Sequence, residues 1–102
     1  MSPRIRRAIA HDDFSVEIAW SDGTADRVDF RPIIARGGVM TALADARFFV
    51  SGMRVESDGY GLGWPTKTRR AGEVGGVDFS AQGLWYRVHP DKLAQDRTDA
   101  AE

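Results

Sequence analysis

The chain has 102 residues, of which 42% are apolar and 28% charged, with a formal net charge of −1. That length fits one domain able to bury a core without staples, and the near-neutral charge argues against a dedicated polyanion binder. The absence of cysteine excludes disulfides, thiolate metal sites and cysteine catalysis, and fits a reducing, cytoplasmic setting.

Taken in chain order, "RIRRAI" (Arg4 to Ile9) alternates imperfectly and predicts a first strand. The start "MSPRIRRAIAHDD" carries basic residues without the apolar stretch of a secretory leader, so no leader is expected. "HDD" (His11 to Asp13) supplies turn residues, because aspartate side chains bond to nearby backbone. In "FSVEIAW", Val16, Ile18 and Trp20 share one face at period two, which predicts a half-buried strand. "SDG" (Ser21 to Gly23) marks a hairpin, since glycine takes the positive φ of a tight reversal. The returning strand "TADRVDF" sets Thr24, Asp26, Val28 and Phe30 opposite Ala25, Arg27 and Asp29.

Pro32 closes this hairpin, and Ile33 to Gly38 reads as a turn or single helical turn ended by glycine. "TALADARFFVSG" predicts a short helix with Asp45 as N-cap, Leu43, Phe48 and Phe49 apolar at helix-like intervals with Phe48 assigned to the core, and Gly52 at its end. "MRVESDGYGLGW" predicts a second hairpin turning at Ser57 to Gly59, with Tyr60, Leu62 and Trp64 on one face; Pro65 stops it. Ser80 is a candidate N-cap for a second helix carrying Leu84, Trp85 and Val88. Beyond Leu93 the tail lacks large apolar residues, which predicts a flexible, frayed segment over 91–102. No run approaches the about 20 apolar residues that cross a bilayer, so no membrane association is expected. The expected architecture is a small α+β domain over residues 1–90, with two antiparallel β-hairpins in a mixed or antiparallel sheet and two short helices.

Four stretches in order carry a family resemblance: "FSVEIAWSDGTADRVDFRPII", "TALADARFFVSGMRVE", "YGLGWP" and "VDFSAQGLW". Together, from about Ile5 to Trp85, they resemble the bacterial domain-of-unknown-function family 2442, itself similar to the N-terminal domain of an uncharacterised two-domain nitrifier protein. The sequence departs from that pattern at "TKTRRAGEVGG", near residues 66–76, a basic glycine-rich insertion into a connection that is short in the family. Some relatives carry an appended helix-turn-helix domain, which is not expected here because the sequence ends soon after the match. Others are encoded beside a second small protein, as toxin–antitoxin pairs are. The resemblance thus implies a regulatory or partner-binding role, with no chemistry attached.

Reactive constellations are hard to assemble. His11, Asp12 and Asp13 are adjacent, so on an extended strand they point to opposite faces, and His89 stands alone before a proline. No metal-ligand spacing joins the two histidines. The glycines of "GYGLGWP" alternate within a strand and lack the following helix that a nucleotide fingerprint needs. No cofactor and no catalytic residue are expected, and the chain reads as a non-enzymatic interaction or regulatory module, an antitoxin-like half of a pair. The alternative is a nucleic-acid-binding regulator. Candidate contacts are the cations Arg4, Arg6, Arg7, Lys67, Arg69 and Arg70, with Trp85 and Tyr86, which as neighbours on a helix cannot both face inward. The expected partner is a protein, with self-association through hairpin edges as a second option.

Overall fold

Val16, Ile18 and Trp20 all turn to the core face of one strand in the structure, a computed structural model describing residues 2–65 and 76–101. That strand, β2 (Ser15–Trp20), lies between β1 (Ile5–Ala10) and β3 (Ala25–Asp29), antiparallel to both. The irregular alternation of "RIRRAI" has a structural cause. Ile5 pairs with Trp20 and Arg7 with Ala19, so Arg6 is an extra residue in a bulge. The bulge lets Ile5 and Ala10 both face inward while Arg6 and Arg7 stay outside.

Aspartates close each reversal. Asp13 Oδ1 accepts the amide and hydroxyl of Ser15 at 3.1 and 2.6 Å, and Asp22 Oδ1 accepts those of Thr24 at 3.0 and 2.6 Å. Asp29 accepts the amide of Arg31 and two of its guanidinium donors, bending the chain into the single-turn helix α1 (Arg31–Ile34). The segment expected as one helix is divided. A 3-10 turn over Gly38–Ala44 precedes α2 (Ala46–Gly52), because Asp45 is extended and caps α2 by accepting from the amides of Arg47 and Phe48. That frame buries Phe49 completely and leaves Phe48, expected in the core, only half-buried.

The second hairpin belongs to a separate sheet. β4 (Arg54–Glu56) and β5 (Gly61–Trp64) are joined by a 3-10 turn over Ser57–Gly59. A third strand, β6 (Val77–Ser80), pairs with β5 through Phe79–Leu62 and neighbours. Antiparallel pairing holds throughout, in two three-stranded sheets. Ser80 then caps α3 (Ala81–Val88) through the Gly83 amide, as expected. The backbone of Pro90–Ala101 forms a helix, α4, where composition predicts fraying; its Lys, Leu, Ala, Gln and Arg are good helix formers even without a wide apolar face.

Aromatic rings join the two sheets. Phe30, following β3, meets Phe49 of α2, Trp64 of β5 and Phe79 of β6 at centroid distances of 5.7, 5.3 and 5.3 Å, all edge-on. Phe49 and Trp64 stack at 5.1 Å, and the Trp64 indole N–H donates to the Phe49 carbonyl at 2.8 Å. Tyr60, expected beside Leu62 and Trp64, is instead 62% exposed; its backbone is still in the αR turn before β5 begins.

Replacing Phe30, which is fully buried at this junction, with alanine should lower unfolding free energy by about 3–5 kcal/mol in urea titrations. A loss under about 1 kcal/mol would show the junction to be weakly packed. A second expectation concerns acid. The Arg31 side chain holds the Asp29 carboxyl down to about 2 from an ordinary 3.8, and the hydroxyls of Ser15 and Thr24 lower Asp13 and Asp22. Folded values below unfolded ones give stability that is complete above the ordinary value and lost as pH falls through the folded values. Unfolding midpoints should therefore drop between about pH 4 and about pH 2, with a shallower drop in Asp29→Asn. Midpoints that rise on acidification would contradict this.

Candidate partner-binding surface

Arg4, Arg6 and Arg7 are all exposed, as their charge predicts, but the bulge in β1 divides them between two surfaces. Arg7 lies on the solvent face of the first sheet, beside Ile9, Glu17, Ala19, Ala25 and Arg27, around a depression of ≈ 400 Å³. There Arg27 pairs with Asp13 at 2.9 Å and approaches Glu17 at 3.9 Å, while His11 bonds Glu17 at 2.9 Å. His11 and Asp13 thus engage different local partners. Among the described residues, no group of three or more His, Cys, Asp or Glu is placed to hold a metal ion.

Arg4 and Arg6 border a different groove, of ≈ 420 Å³, shared with Ile5, Ser21, Val55, Asp58 and Gly59. Two features fix its shape. The Ser21 amide donates to the Arg4 carbonyl and the Arg4 amide donates to the Ser21 hydroxyl, at 2.7 and 2.9 Å, anchoring the start of β1. Gly59 takes φ +94°, and a Cβ there would meet the Ile5 carbonyl oxygen, so only glycine lets the second hairpin's turn lie against β1. The Arg4 guanidinium carbon sits 5.5 Å from the centre of the exposed Tyr60 ring, within cation–π range. Val55 is also exposed. Arg4 therefore links the exposed Tyr60 ring to a groove whose lining also holds Val55 and Asp58.

Trp85 does not provide the exposed anchor that its position beside Tyr86 allows. It is 8% exposed and meets Trp20 edge-on at 5.2 Å; Tyr86 is the half-buried member of the pair. Trp85 also lies over the His89 ring, with centroids 3.9 Å apart. His89 Nε2 is 2.7 Å from Asp26 Oδ2, which also accepts the Trp20 indole N–H at 2.7 Å. This cluster escapes sequence reading because Asp26 and His89 are 63 positions apart, although the i, i+4 spacing of Trp85 and His89 places their rings on one helix face. A His–Asp pair can orient a catalytic base. Here its carboxylate also holds an indole and its imidazole is covered by Trp85, so the pair ties the end of α3 to β3. The hydroxyls of Ser15, Ser21, Ser51 and Ser80 bond to turn and helix groups.

Lys67, Arg69 and Arg70 lie outside the described residues. Among those described, no helix is long and apolar enough to cross a membrane. The family model described as Protein of unknown function (DUF2442) matches residues 5–90. No curated protein and no solved structure matches the chain.

Loss of the His89 contact in His89→Ala should destabilise the fold by about 1–3 kcal/mol. In a double-mutant cycle with Asp26→Ala, urea titrations should give a coupling above about 0.5 kcal/mol. Additive single and double variants would mean that the two side chains do not support each other.

Proposed function

The chain belongs to the DUF2442 family, and from that premise we propose that it is a non-enzymatic protein-interaction module that recognises its partner at the groove bordered by Arg4, Arg6 and Val55, together with Tyr60 beside Arg4. The observation that carries this reading is Tyr60, 62% exposed beside a strand whose following residues are core, with a guanidinium held over its ring. Tyrosine and arginine dominate binding energy at protein interfaces because each combines apolar area with a directed polar group. Tyrosine also loses little rotamer entropy on contact. The groove volume of ≈ 420 Å³ accommodates an inserted side chain, and Arg4 and Arg6 favour a partner with an acidic rim. The implied biology is a pair of small proteins in which this chain is the neutralising, antitoxin-like half.

Nucleic acid is the second reading, favoured by three exposed arginines at the start of the chain, Arg4 before β1 and Arg6 and Arg7 on it. Their separation onto two surfaces, with Asp58 in one and Glu17 in the other, weakens any continuous field along a phosphate backbone.

Affinity capture from the native cell, comparing the wild-type chain with a Tyr60→Ala/Arg6→Glu variant of unchanged circular dichroism, tests the proposal. One protein recovered in stoichiometric amount by the wild type and lost from the variant is the expected result. Recovery of no protein, or equal recovery by both, would refute it. Binding to duplex DNA with a steep fall in affinity as salt rises would replace it with the second reading.

A further inference from the structure

A second surface, sharing no residue with the Arg4–Tyr60 groove, lies along α3. Ser80, Gly83, Leu84 and Arg87 follow i, i+3, i+4, i+7 spacing and so form one stripe of that helix. Facing the stripe are Ile33 of α1, Arg36 just beyond that helix, and Asp78 and Phe79 from β6; together they line a cleft of ≈ 340 Å³. Its floor is apolar, since Ile33 and Leu84 are buried and Phe79 is half-buried. Its two cations, Arg36 and Arg87, are exposed, and among the described residues neither makes a close ion pair, although Arg87 acts on the Asp29 carboxyl from a distance; nearby Arg31 is bound to Asp29 directly. Gly83 leaves the middle of the stripe without a side chain.

We infer that this face of α3 docks an extended segment of a partner protein, with a peptide carboxylate held by Arg36 and Arg87 and an aliphatic side chain resting on Ile33, Phe79 and Leu84. The charge pattern selects the anion. Two guanidiniums offer planar donor pairs that match a carboxylate, while Asp78 in the same lining disfavours a dianionic phosphate. The shape selects a peptide over a small molecule. Ser80, Gly83 and Arg87 also border an adjoining depression of ≈ 510 Å³ with Gln82, Tyr86 and Leu93, so the surface runs across the helix for more than one side chain. Apolar contact below and charge-assisted hydrogen bonds above are the usual division of labour in peptide recognition.

The test uses the full chain and a fluorescein-labelled octapeptide of alternating leucine and glutamate, followed by fluorescence anisotropy. Saturable binding is expected. Affinity should fall about tenfold or more when glutamine replaces glutamate in the peptide, and similarly in Arg36→Ala/Arg87→Ala, as loss of charge-assisted hydrogen bonds implies. Both substituted positions are exposed, and an unchanged urea midpoint will verify the fold. Peptide-induced amide shifts should centre on Ser80, Gly83 and Leu84. The Tyr60→Ala/Arg6→Glu variant should bind the peptide as the wild type does, which separates this inference from the Arg4–Tyr60 reading. Absence of saturable binding, equal affinity for the glutamine peptide, no effect of the arginine substitutions, or loss of binding in the Tyr60 variant would each overturn it.

Discussion

The contact between Phe30 and the rings of Phe49, Trp64 and Phe79 is the constraint on which the rest of the structure depends. The strands of the second sheet have three, four and four residues, too few to bury an adequate core alone. Phe30 comes from the end of the first sheet, Phe49 from α2, and the other two rings from the second sheet, so one cluster serves both. Edge-on geometry suits aromatic quadrupoles, and the indole of Trp64 finds its acceptor within the cluster at Phe49. No buried side-chain polar atom among the described residues lacks a partner. At the other end of the first sheet, Trp20 and Trp85 close the core against α3 with the Asp26 carboxylate and His89 at its margin.

This arrangement commits most aromatic side chains to the interior and makes the exposed one informative. Tyr60 lies outside because the Ser57–Gly59 turn continues one residue before β5 begins. The same turn lies against β1, where the bulge has turned Arg6 and Arg7 outward. Charge and a bulge on an edge strand protect it from indiscriminate strand pairing. In this chain those protective features also supply the cations around the groove. A partner of the kind proposed would meet this surface through side-chain contacts rather than through sheet extension.

Much of this was legible from residue order. Period-two alternation located β2 and β3, Asp-Gly located their turn, and Asp45 and Ser80 acted as the caps their side chains allow. The misses have physical causes. β6 has four residues and becomes a strand only because Leu62 and Phe79 pair, a long-range contact that no local pattern carries. Phe49 rather than Phe48 takes the central place because Asp45 starts α2 at Ala46, which sets the helical phase. Trp85 and Tyr86 could be recognised as facing different ways, but the choice between them depends on Trp20, far away in the chain. The groove beside Tyr60 depends on a non-local approach of turn to strand. The α3 stripe was present in the sequence as Ser80, Gly83, Leu84 and Arg87, yet its facing wall comes from α1 and β6.

A single shared aromatic core makes the two sheets one cooperative unit. Native-state hydrogen exchange measured residue by residue tests this most directly. The slowest amides of β2, around Ile18, and those of β5, around Leu62, should exchange at the same free energy and respond to denaturant with the same slope. Exchange of the β5 amides through a smaller opening, while β2 stays protected, would contradict the account.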